Sequence, residues 1–396
     1  MNPPYFPERP RVVLVTNMLP PYRIAFYDEI ARHVELTVVL DTLSEFNRAW
    51  KASASGHRFH TVIQNCRSFI YKRHREDVHY TEPRQFHFSE KTYGELRRVD
   101  PVMVVTAEFG FRTLWSLFYG WLNAVPVAIY SEGTCHTEGH VGWLKRLVRR
   151  LIVCQSARLW SNGPESTKLL LTYGADPSRI DEGMTGIDTA DWKSEVARWR
   201  ERRDDVRAEL GLHGRVVLFS GSLSPRKGIA QMLEAIGKAA AAPDVPPFSM
   251  LILGDGEDRK GLESWKAAHP QITVVSPGFV QHPELPRYFA AADWAVLPTL
   301  DDNWPLATLE TLVAGLPQLF SVYNGATADL CHADTGLSFD PLDPEGFAAA
   351  FLAALKSPLE RVPEERIQFI SDYYSAVSQG ERAAASVESV LHLRGD

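Results

Sequence analysis

Two stretches in the second half of the chain carry residues whose types and spacing suit a phosphorylated, polyhydroxylated ligand. The first, Thr-Leu-Asp-Asp-Asn-Trp-Pro-Leu-Ala-Thr-Leu-Glu-Thr-Leu-Val-Ala-Gly-Leu-Pro, runs from Thr299 to Pro317. A strand ending near Pro298 leads into a loop, Pro305 sits where a first helical turn tolerates proline, and Gly315 ends the helix. Such a helix start presents free N–H groups to an anion. Glu310 lies about one turn beyond Leu306 on the same face, so its carboxylate can reach ligand hydroxyls while a phosphate sits at the helix start. Asp302, eight positions before Glu310, stands in the loop beside that ligand.

The second stretch, Phe219-Ser-Gly221-Ser222-Leu-Ser-Pro-Arg226-Lys227-Gly228, is a tight loop after a strand, with two cations just ahead of a helix. A departing diphosphate concentrates negative charge on its oxygens, and cations placed there stabilise it. Gly254, in Leu-Gly-Asp-Gly, and Phe279 and Val280, in Pro-Gly-Phe-Val, follow strands on the same side of the sheet and fit the walls of a nucleotide pocket. Taken singly, Glu310 reads as a solvated helix glutamate, Arg226 and Lys227 as a charged turn, and Gly254 as a turn signal. Together they favour a ligand.

Three further features are weighed on the same terms. Cys135, His136, Glu138 and His140 are zinc-ligand types, but their spacing fits no common site and reads better as a polar active-site loop. The chain has no Asp-x-Asp, so metal-independent chemistry is expected. From Trp143 to Ile152 the helical pattern sets Leu144, Leu147, Val148, Leu151 and Ile152 against Lys145, Arg146, Arg149 and Arg150. That suits a helix lying on anionic lipid, a peripheral membrane contact. It suits equally a domain helix with its apolar face on a sheet and its cations in water, and this second reading is favoured.

The elements that position these residues are alternating short Val- and Ile-rich runs and helical patterns, the signature of parallel sheets built from βαβ units. In the first half strands are expected at residues 12–16, 36–40, 61–63, 102–106, 127–131 and 158–161. In the second they are expected at 216–220, 249–253, 273–275, 294–297 and 317–320. Residues 113–131 form an uncharged run of membrane-span length, but Gly120, Asn123 and Pro126 divide it into a helix and a strand. With 396 residues, of which 45% are hydrophobic and 23% charged, the chain is long enough for two domains. The expected division is an N-terminal domain over 1–190, a charged linker over 191–212, a C-terminal domain over 213–374 and a C-terminal helix over 375–396 with the length to return to the first domain. The expected fold class is α/β: two Rossmann-like doubly wound parallel-sheet domains facing across a cleft, where ligands of open α/β sheets bind.

Charge divides unevenly: residues 1–187 hold 23 Lys and Arg against 19 Asp and Glu, a net +4, and the remainder makes up the total of −7 with a net −11. A +4 half is too mild for nucleic-acid binding. The four cysteines form no Cys-x-x-Cys pair, and the opening residues lack the basic-then-apolar pattern of a signal peptide, so a cytoplasmic protein is expected.

From residue 216 to about 374, and more weakly before, the chain resembles a retaining glycosyltransferase of family 4. The resemblance implies the GT-B fold, a nucleoside diphosphate sugar (UDP- or GDP-linked) as the sole cofactor-like group, and a hydroxyl acceptor, in polysaccharide or glycoconjugate biosynthesis. In that family a carboxylate, seven residues and a glutamate form the donor-sugar motif. Asp302 and Glu310 hold those places, with Asp where Glu is usual. By resemblance, Glu310 binds ribose hydroxyls, Asp302 binds donor-sugar hydroxyls, the backbone of Asn303, Trp304, Pro305 and Leu306 holds the phosphates, and Phe279 and Val280 flank the base. The opening Thr16-Asn-Met-Leu-Pro-Pro-Tyr22-Arg23 also resembles the family's first domain and puts Tyr22 and Arg23 on the acceptor side. Two departures stand out: Ser222 replaces the arginine of the usual Gly-Arg-Leu, for which Arg226 is a candidate substitute, and Glu132, in Tyr130-Ser-Glu132-Gly-Thr-Cys-His136, stands where a histidine is frequent. Three alternatives stay open: a sugar-nucleotide epimerase, a sugar-nucleotide-binding protein without catalysis, and a transferase that couples a cyclitol instead of a sugar.

Overall fold

The computed structural model of the chain describes residues 9–43, 45 and 55–392, so the residues before Arg9 on which the signal-peptide reading rests lie outside it. Two compact units divide the chain. One comprises Met1–Tyr71, Pro83–Asp188 and Tyr374–Asp396, the other Lys72–Glu82 and Thr189–Tyr373.

In the first unit, strands β1 (Arg11–Thr16), β2 (Glu35–Leu40) and β3 (His60–Ile63) are followed by a hairpin of β4 (Ser68–Arg75) and β5 (Tyr80–His87). Then come β6 (Met103–Ala107), β7 (Val127–Ser131), β8 (Arg158–Ser161) and β9 (Ile180–Glu182). Seven of them form one sheet in the order β3-β2-β1-β6-β7-β8-β9, and every registered pair is parallel. Its helices are α1 (Ile24–His33), α2 (Thr92–Val99), α3 (Phe111–Asn123), α4 (Trp143–Gln155) and α5 (Pro164–Thr172). A parallel sheet covered on both faces needs strands that are apolar throughout, and β1 is one. Val12 and Leu14 pack with Phe26 and Ile30 of α1, whereas Val13 and Val15 pack with Leu96 of α2 and Tyr119 of α3.

The second unit starts with α6 (Thr189–Arg200) and α7 (Arg203–Leu210). It continues with β10 (Arg215–Ser220), α8 (Ile229–Ala240), β11 (Phe248–Leu253), α9 (Arg259–Ala268), β12 (Thr273–Gly278), α10 (Leu285–Ala291) and β13 (Trp294–Leu297). Then follow α11 (Leu306–Val313), β14 (Gln318–Ser321), α12 (Thr327–Leu330), β15 (Gly336–Phe339), α13 (Pro344–Lys356) and α14 (Glu364–Tyr373). The sheet order is β12-β11-β10-β13-β14-β15, the 3-2-1-4-5-6 order of a dinucleotide-binding domain. The last helix, α15 (Ala376–His392), belongs to the first unit and packs on α1, where Gly380 lets the two backbones close: a Cβ there would lie 2.5 Å from Cβ of Glu29.

Three of the differences from expectation have a plain physical reason. The charged stretch expected as a linker over 191–212 is helical and part of the second unit. Trp192 and Val196, one turn apart, are buried, and two of the arginines, Arg203 and Arg207, turn inward onto the Asp293 carboxylate. The hairpin β4–β5 lacks an alternating apolar pattern because β4 is largely exposed and β5 mostly half-buried, and its tip, Lys72–Glu82, belongs to the second unit. Strand β15 is a four-residue run with two exposed positions, too short and too polar to announce itself.

In the second unit two glycines fix the loops at the carboxyl ends of the strands. Gly228 has φ +70°, and a Cβ on it would stand 2.0 Å from the carbonyl oxygen of Pro298, just past the end of β13. Gly254 has φ +143°, and its Cβ would stand 1.8 Å from the carbonyl oxygen of Gly221. The loops after β10, β11 and β13 are therefore laid directly against one another. Gly228→Ala should lower unfolding stability of this unit by about 3 kcal/mol, combining left-handed strain with a backbone clash. Gly261→Ala, on an open face of α9, should be neutral or gain up to about 1 kcal/mol. Urea denaturation followed by tryptophan fluorescence compares the two, and equal midpoints would contradict the close approach.

Candidate functional site

Ligands of open parallel sheets bind beyond the carboxyl ends of the strands, at the point where strand order reverses. In the second unit that point lies between β10 and β13, which pair directly. The loop after β10 carries Arg226 and Lys227 in a single tight turn, and the loop after β13 carries Asp301 and Asp302. The backbone ties them together, since Leu300 N–H donates to the Arg226 carbonyl at 2.9 Å.

Asp302 is where the cations meet. Its Oδ2 accepts from Lys227 Nζ at 2.6 Å and from Arg226 Nη1 at 3.0 Å. Burial works against its charge, but Lys227 and then Arg226 outweigh burial and bring the carboxyl down to about 2. Arg226 also donates to the Asp301 carbonyl at 2.7 Å, and its Nε lies 3.3 Å from Glu82 at the hairpin tip. Arg226 is thus held between two carboxylates. Ser222, exposed on the same loop, lies 3.3 Å from the Ser224 hydroxyl.

Beneath this junction lies a network that the sequence did not reveal. The Asp301 carboxylate, buried, accepts from Arg75 and from the Tyr80 hydroxyl, with Arg73 at 3.3 Å. All three partners sit in the hairpin tip, 221 to 228 positions upstream, and Val78 and Tyr80 pack on Leu300 beside them. Only a hint existed in the sequence: a dense run of cations, Lys72, Arg73 and Arg75, in an otherwise unassigned segment.

Helix α11 starts after Pro305, and no side chain caps it. Pro305 has no N–H, so the backbone amides that adjoin it in this loop are those of Asn303, Trp304 and Leu306. The Trp304 ring is fastened elsewhere, donating to Asp329 at 3.1 Å. Glu310 follows on α11, with its backbone carbonyl accepting from Trp192 Nε1 at 2.8 Å. Its carboxylate lies 3.6 Å from His282, whose pKa it raises, and the Trp192 and His282 rings are 5.5 Å apart. His282 stands two positions beyond Val280 and three beyond the exposed Phe279, so Glu310 and the segment after β12 share one neighbourhood. His282 was not singled out from the sequence.

The first unit repeats the arrangement. Strand order reverses between β1 and β6. Arg23, following β1, is buried, and its guanidinium donates to Glu132 Oε1 at 2.5 Å, to the Tyr130 hydroxyl and to the Met184 carbonyl at 3.2 Å. Burial opposes its charge, but the Tyr130 and Glu132 oxygens outweigh it and raise its pKa. Tyr22 is exposed beside it, and His136 is half-buried in the turn after β7. Among the described residues no three His, Cys, Asp or Glu side chains cluster as metal donors. Glu138 instead pairs with Arg149 at 2.5 Å.

Glu108, unmentioned by the sequence reading, stands at the reversal itself. Its backbone adopts φ +62°, a left-handed conformation uncommon for a glutamate and found mainly where function or a turn requires it. Its N–H donates to the Tyr130 carbonyl at 2.8 Å, and its carboxylate accepts the Glu132 N–H at 2.7 Å. Burial, reinforced by the Glu132 charge, pushes this carboxyl up to about 7.

Comparisons with known proteins bear on the fold and on the second half of the chain. Residues 202–372 match the family model described as glycosyl transferases group 1. D-inositol 3-phosphate glycosyltransferase of Pseudarthrobacter chlorophenolicus is 30% identical over 245 residues, 60% of this chain and 56% of that protein. The chain spans about half the length of the curated relatives it matches. Among solved structures, HepE of Anabaena in complex with UDP superposes with a TM-score of 0.70 at 14% identity, covering 96% of this chain and 100% of that one. Sucrose-phosphate synthase of Thermosynechococcus elongatus superposes with a TM-score of 0.69 at 14% identity, covering 97% and 100%. The fold is GT-B, with two Rossmann-like domains, and residues 202–372 are similar to the group 1 glycosyl transferases.

The Glu108 environment has a consequence for stability. In the unfolded chain this carboxyl ionises at its ordinary value of 4.5, and in the folded protein at about 7. The folded state therefore favours the neutral form, and stability falls as pH rises from 4.5 towards 7 and stays level above. Glu108→Gln keeps an oxygen for the Glu132 N–H and does not ionise. It should match the wild type near pH 4.5 and exceed it by up to about 3 kcal/mol above pH 7. A stability difference independent of pH, in denaturation curves taken across this range, would show that Glu108 is not buried as described.

Proposed function

We propose that the protein transfers a sugar from a nucleoside diphosphate donor, UDP- or GDP-linked, to an acceptor hydroxyl, with retention at the anomeric carbon and without a metal. The observation that carries this reading is the junction at the reversal point of the second unit. There, Lys227 and Arg226 meet on Asp302, the start of α11 follows in the same loop, and Glu310 lies one turn further along that helix.

The roles follow from chemistry. Glu310 accepts from ribose hydroxyls, beside the base-flanking Phe279 and Val280, with His282 holding its carboxylate. The amides of Asn303, Trp304 and Leu306 receive phosphate oxygens, Gly221 and Gly254 let the backbone approach them, and Ser222 offers a hydroxyl where a cation is usual. Lys227 and Arg226 stabilise the charge that grows on the diphosphate as the bond to the sugar breaks, which is worth most in the transition state. Asp302, relieved of a cation by the arriving phosphates, accepts from sugar hydroxyls. The acceptor hydroxyl attacks on the face the diphosphate leaves, and its proton passes to the departing phosphate oxygen, so no protein nucleophile is needed. Glu132, held by Arg23, accepts from an acceptor hydroxyl, with Tyr22 and His136 nearby. Cyclitol coupling and epimerisation remain distinct outcomes. Product analysis with donor alone exposes an epimerase, and mass spectrometry of the coupled product distinguishes a cyclitol from a sugar.

Lys227→Ala should lower turnover at saturating donor about a hundredfold, as removal of one electrostatic contact to a leaving group does. Unchanged turnover would remove Lys227 from the reaction, and donor binding without release of nucleoside diphosphate in the wild type would make this a binding protein.

The two carboxylates should separate by calorimetry with nucleoside diphosphate. Glu310→Ala should weaken binding by about 1.5 to 3 kcal/mol, the worth of a hydrogen bond to a charged group. Asp302→Ala should leave that binding unchanged or tighten it, since it frees two cations, while impairing use of the whole donor. Weakening of equal size in both variants would contradict these roles.

A further inference from the structure

The favoured expectation for residues 143–152, an apolar face packed on the sheet, is met only in part. Helix α4 carries apolar residues on two sides. Ile152 and Val153 are buried, with Val148 half-buried beside them, but Leu144, Leu147 and Leu151 point outward together with Trp143, which is 77% exposed. Arg149 turns inward to Glu138 and over the Phe109 ring, whereas Lys145, Arg146 and Arg150 are exposed alongside the outward stripe.

Helix α3, which touches α4, does the same. Thr113, Ser116, Tyr119 and Gly120 face the sheet, while Leu114, Phe118, Leu122 and the 77% exposed Trp121 face outward. Phe111 heads this stripe, and its ring is 6.1 Å from that of Phe88, itself 5.9 Å from Phe69 at the hairpin base. Helices of soluble proteins bury their apolar stripe, and a contiguous exposed one marks a docking surface.

We propose that this face of the first unit docks onto an anionic lipid bilayer, with Trp121, Trp143 and the leucines in the interface between headgroups and acyl chains. Charge selects this occupant. Neither Phe111–Asn123 nor Trp143–Gln155 contains an acidic residue, and exposed cations flank the apolar stripe, the pattern of an interfacial helix attracted to anionic headgroups. Two tryptophans at the rim suit the same interface, where an indole has both a wet and an apolar neighbour. The proposal does not rest on the transferase reading, because adsorption to a vesicle requires no donor and no turnover.

The test is flotation of the full chain with vesicles of equal parts phosphatidylcholine and phosphatidylglycerol, against phosphatidylcholine alone. The protein should float with the anionic vesicles and release as salt is raised. Trp121→Ser with Trp143→Ser should cut vesicle partitioning at least about tenfold through lost apolar burial. Arg146→Glu with Arg150→Glu should reduce the preference for anionic vesicles at least about tenfold. All four side chains are exposed, so melting curves should match the wild type, and Leu147→Ser offers a third, smaller change in the same direction. Wild-type protein left unbound by anionic vesicles at low salt, or tryptophan variants that bind as well as the wild type, would overturn the proposal. A wild-type dimer in light scattering that the tryptophan variants dissociate, with no vesicle binding, would also overturn it and make the face an interface between copies of this chain.

Discussion

One oxygen of Asp302 receives both Lys227 and Arg226, and much of the second unit is arranged so that this can happen. With Glu82 on the other side of Arg226, two cations face two carboxylates and the formal charge of the junction is zero. A buried charge left without a partner costs several kcal/mol, so each group depends on the others being in place. The sharp turn at Gly228 brings the cations against β13, and the hydrogen bond from Leu300 to the Arg226 carbonyl holds them there. Glu82 arrives on a hairpin whose own arginines are anchored by the neighbouring Asp301. Neutrality also shapes what a ligand does: a diphosphate entering this junction must compete with carboxylates for the same donors, which favours a ligand whose hydroxyls re-satisfy those carboxylates.

Both units place their polar groups by the same rule. Strands that must be apolar along their whole length have no room for a charge, so charge collects where they end, and the reversal of strand order opens the only gap between adjacent crossovers. Arg226, Lys227 and Asp302 stand there in one unit, and Arg23, Glu108 and Glu132 in the other. The difference lies in the sign of the perturbation. Cations hold Asp302 ionised, whereas burial and a neighbouring carboxylate raise Glu108 into the neutral range. A carboxyl that titrates near 7 can donate or accept a hydrogen bond as occasion requires, which a permanently ionised one cannot.

What the sequence disclosed follows from which signals are local. Strand cores, the turn at Gly228 and the helix after Pro305 are each written within ten residues, and they were legible. Asp301, Arg75 and Tyr80 are joined across more than 220 positions by a hairpin without apolar alternation, and no local pattern announces such a pairing. Glu108 is a different case. It directly follows a buried strand, as Glu132 does, but Glu132 was singled out through the family resemblance. The resemblance named no residue at that place, and a lone glutamate after a strand carries no signal of its own. The supposed linker concealed itself differently: arginines that look solvent-facing in a charged run are the ones that bind Asp293.

Helix α4 shows why amphipathic patterns mislead when a helix has two apolar sides. Leu144, Leu147, Val148, Leu151 and Ile152 count as one face at the level of spacing, yet the arc they span is wide enough that the sheet can cover only part of it. The sheet takes the edge that includes Ile152 and Val153, and Leu144, Leu147 and Leu151 are left outside. Arg149 falls on the inner side and needs Glu138 to be there, so the cation that a simple two-faced helix would send to water is the one that anchors the helix. The remaining cations then lie next to exposed leucines instead of opposite them. Water is a poor partner for that combination and a bilayer surface a good one, because the same plane offers apolar depth to the leucines and negative charge to the arginines.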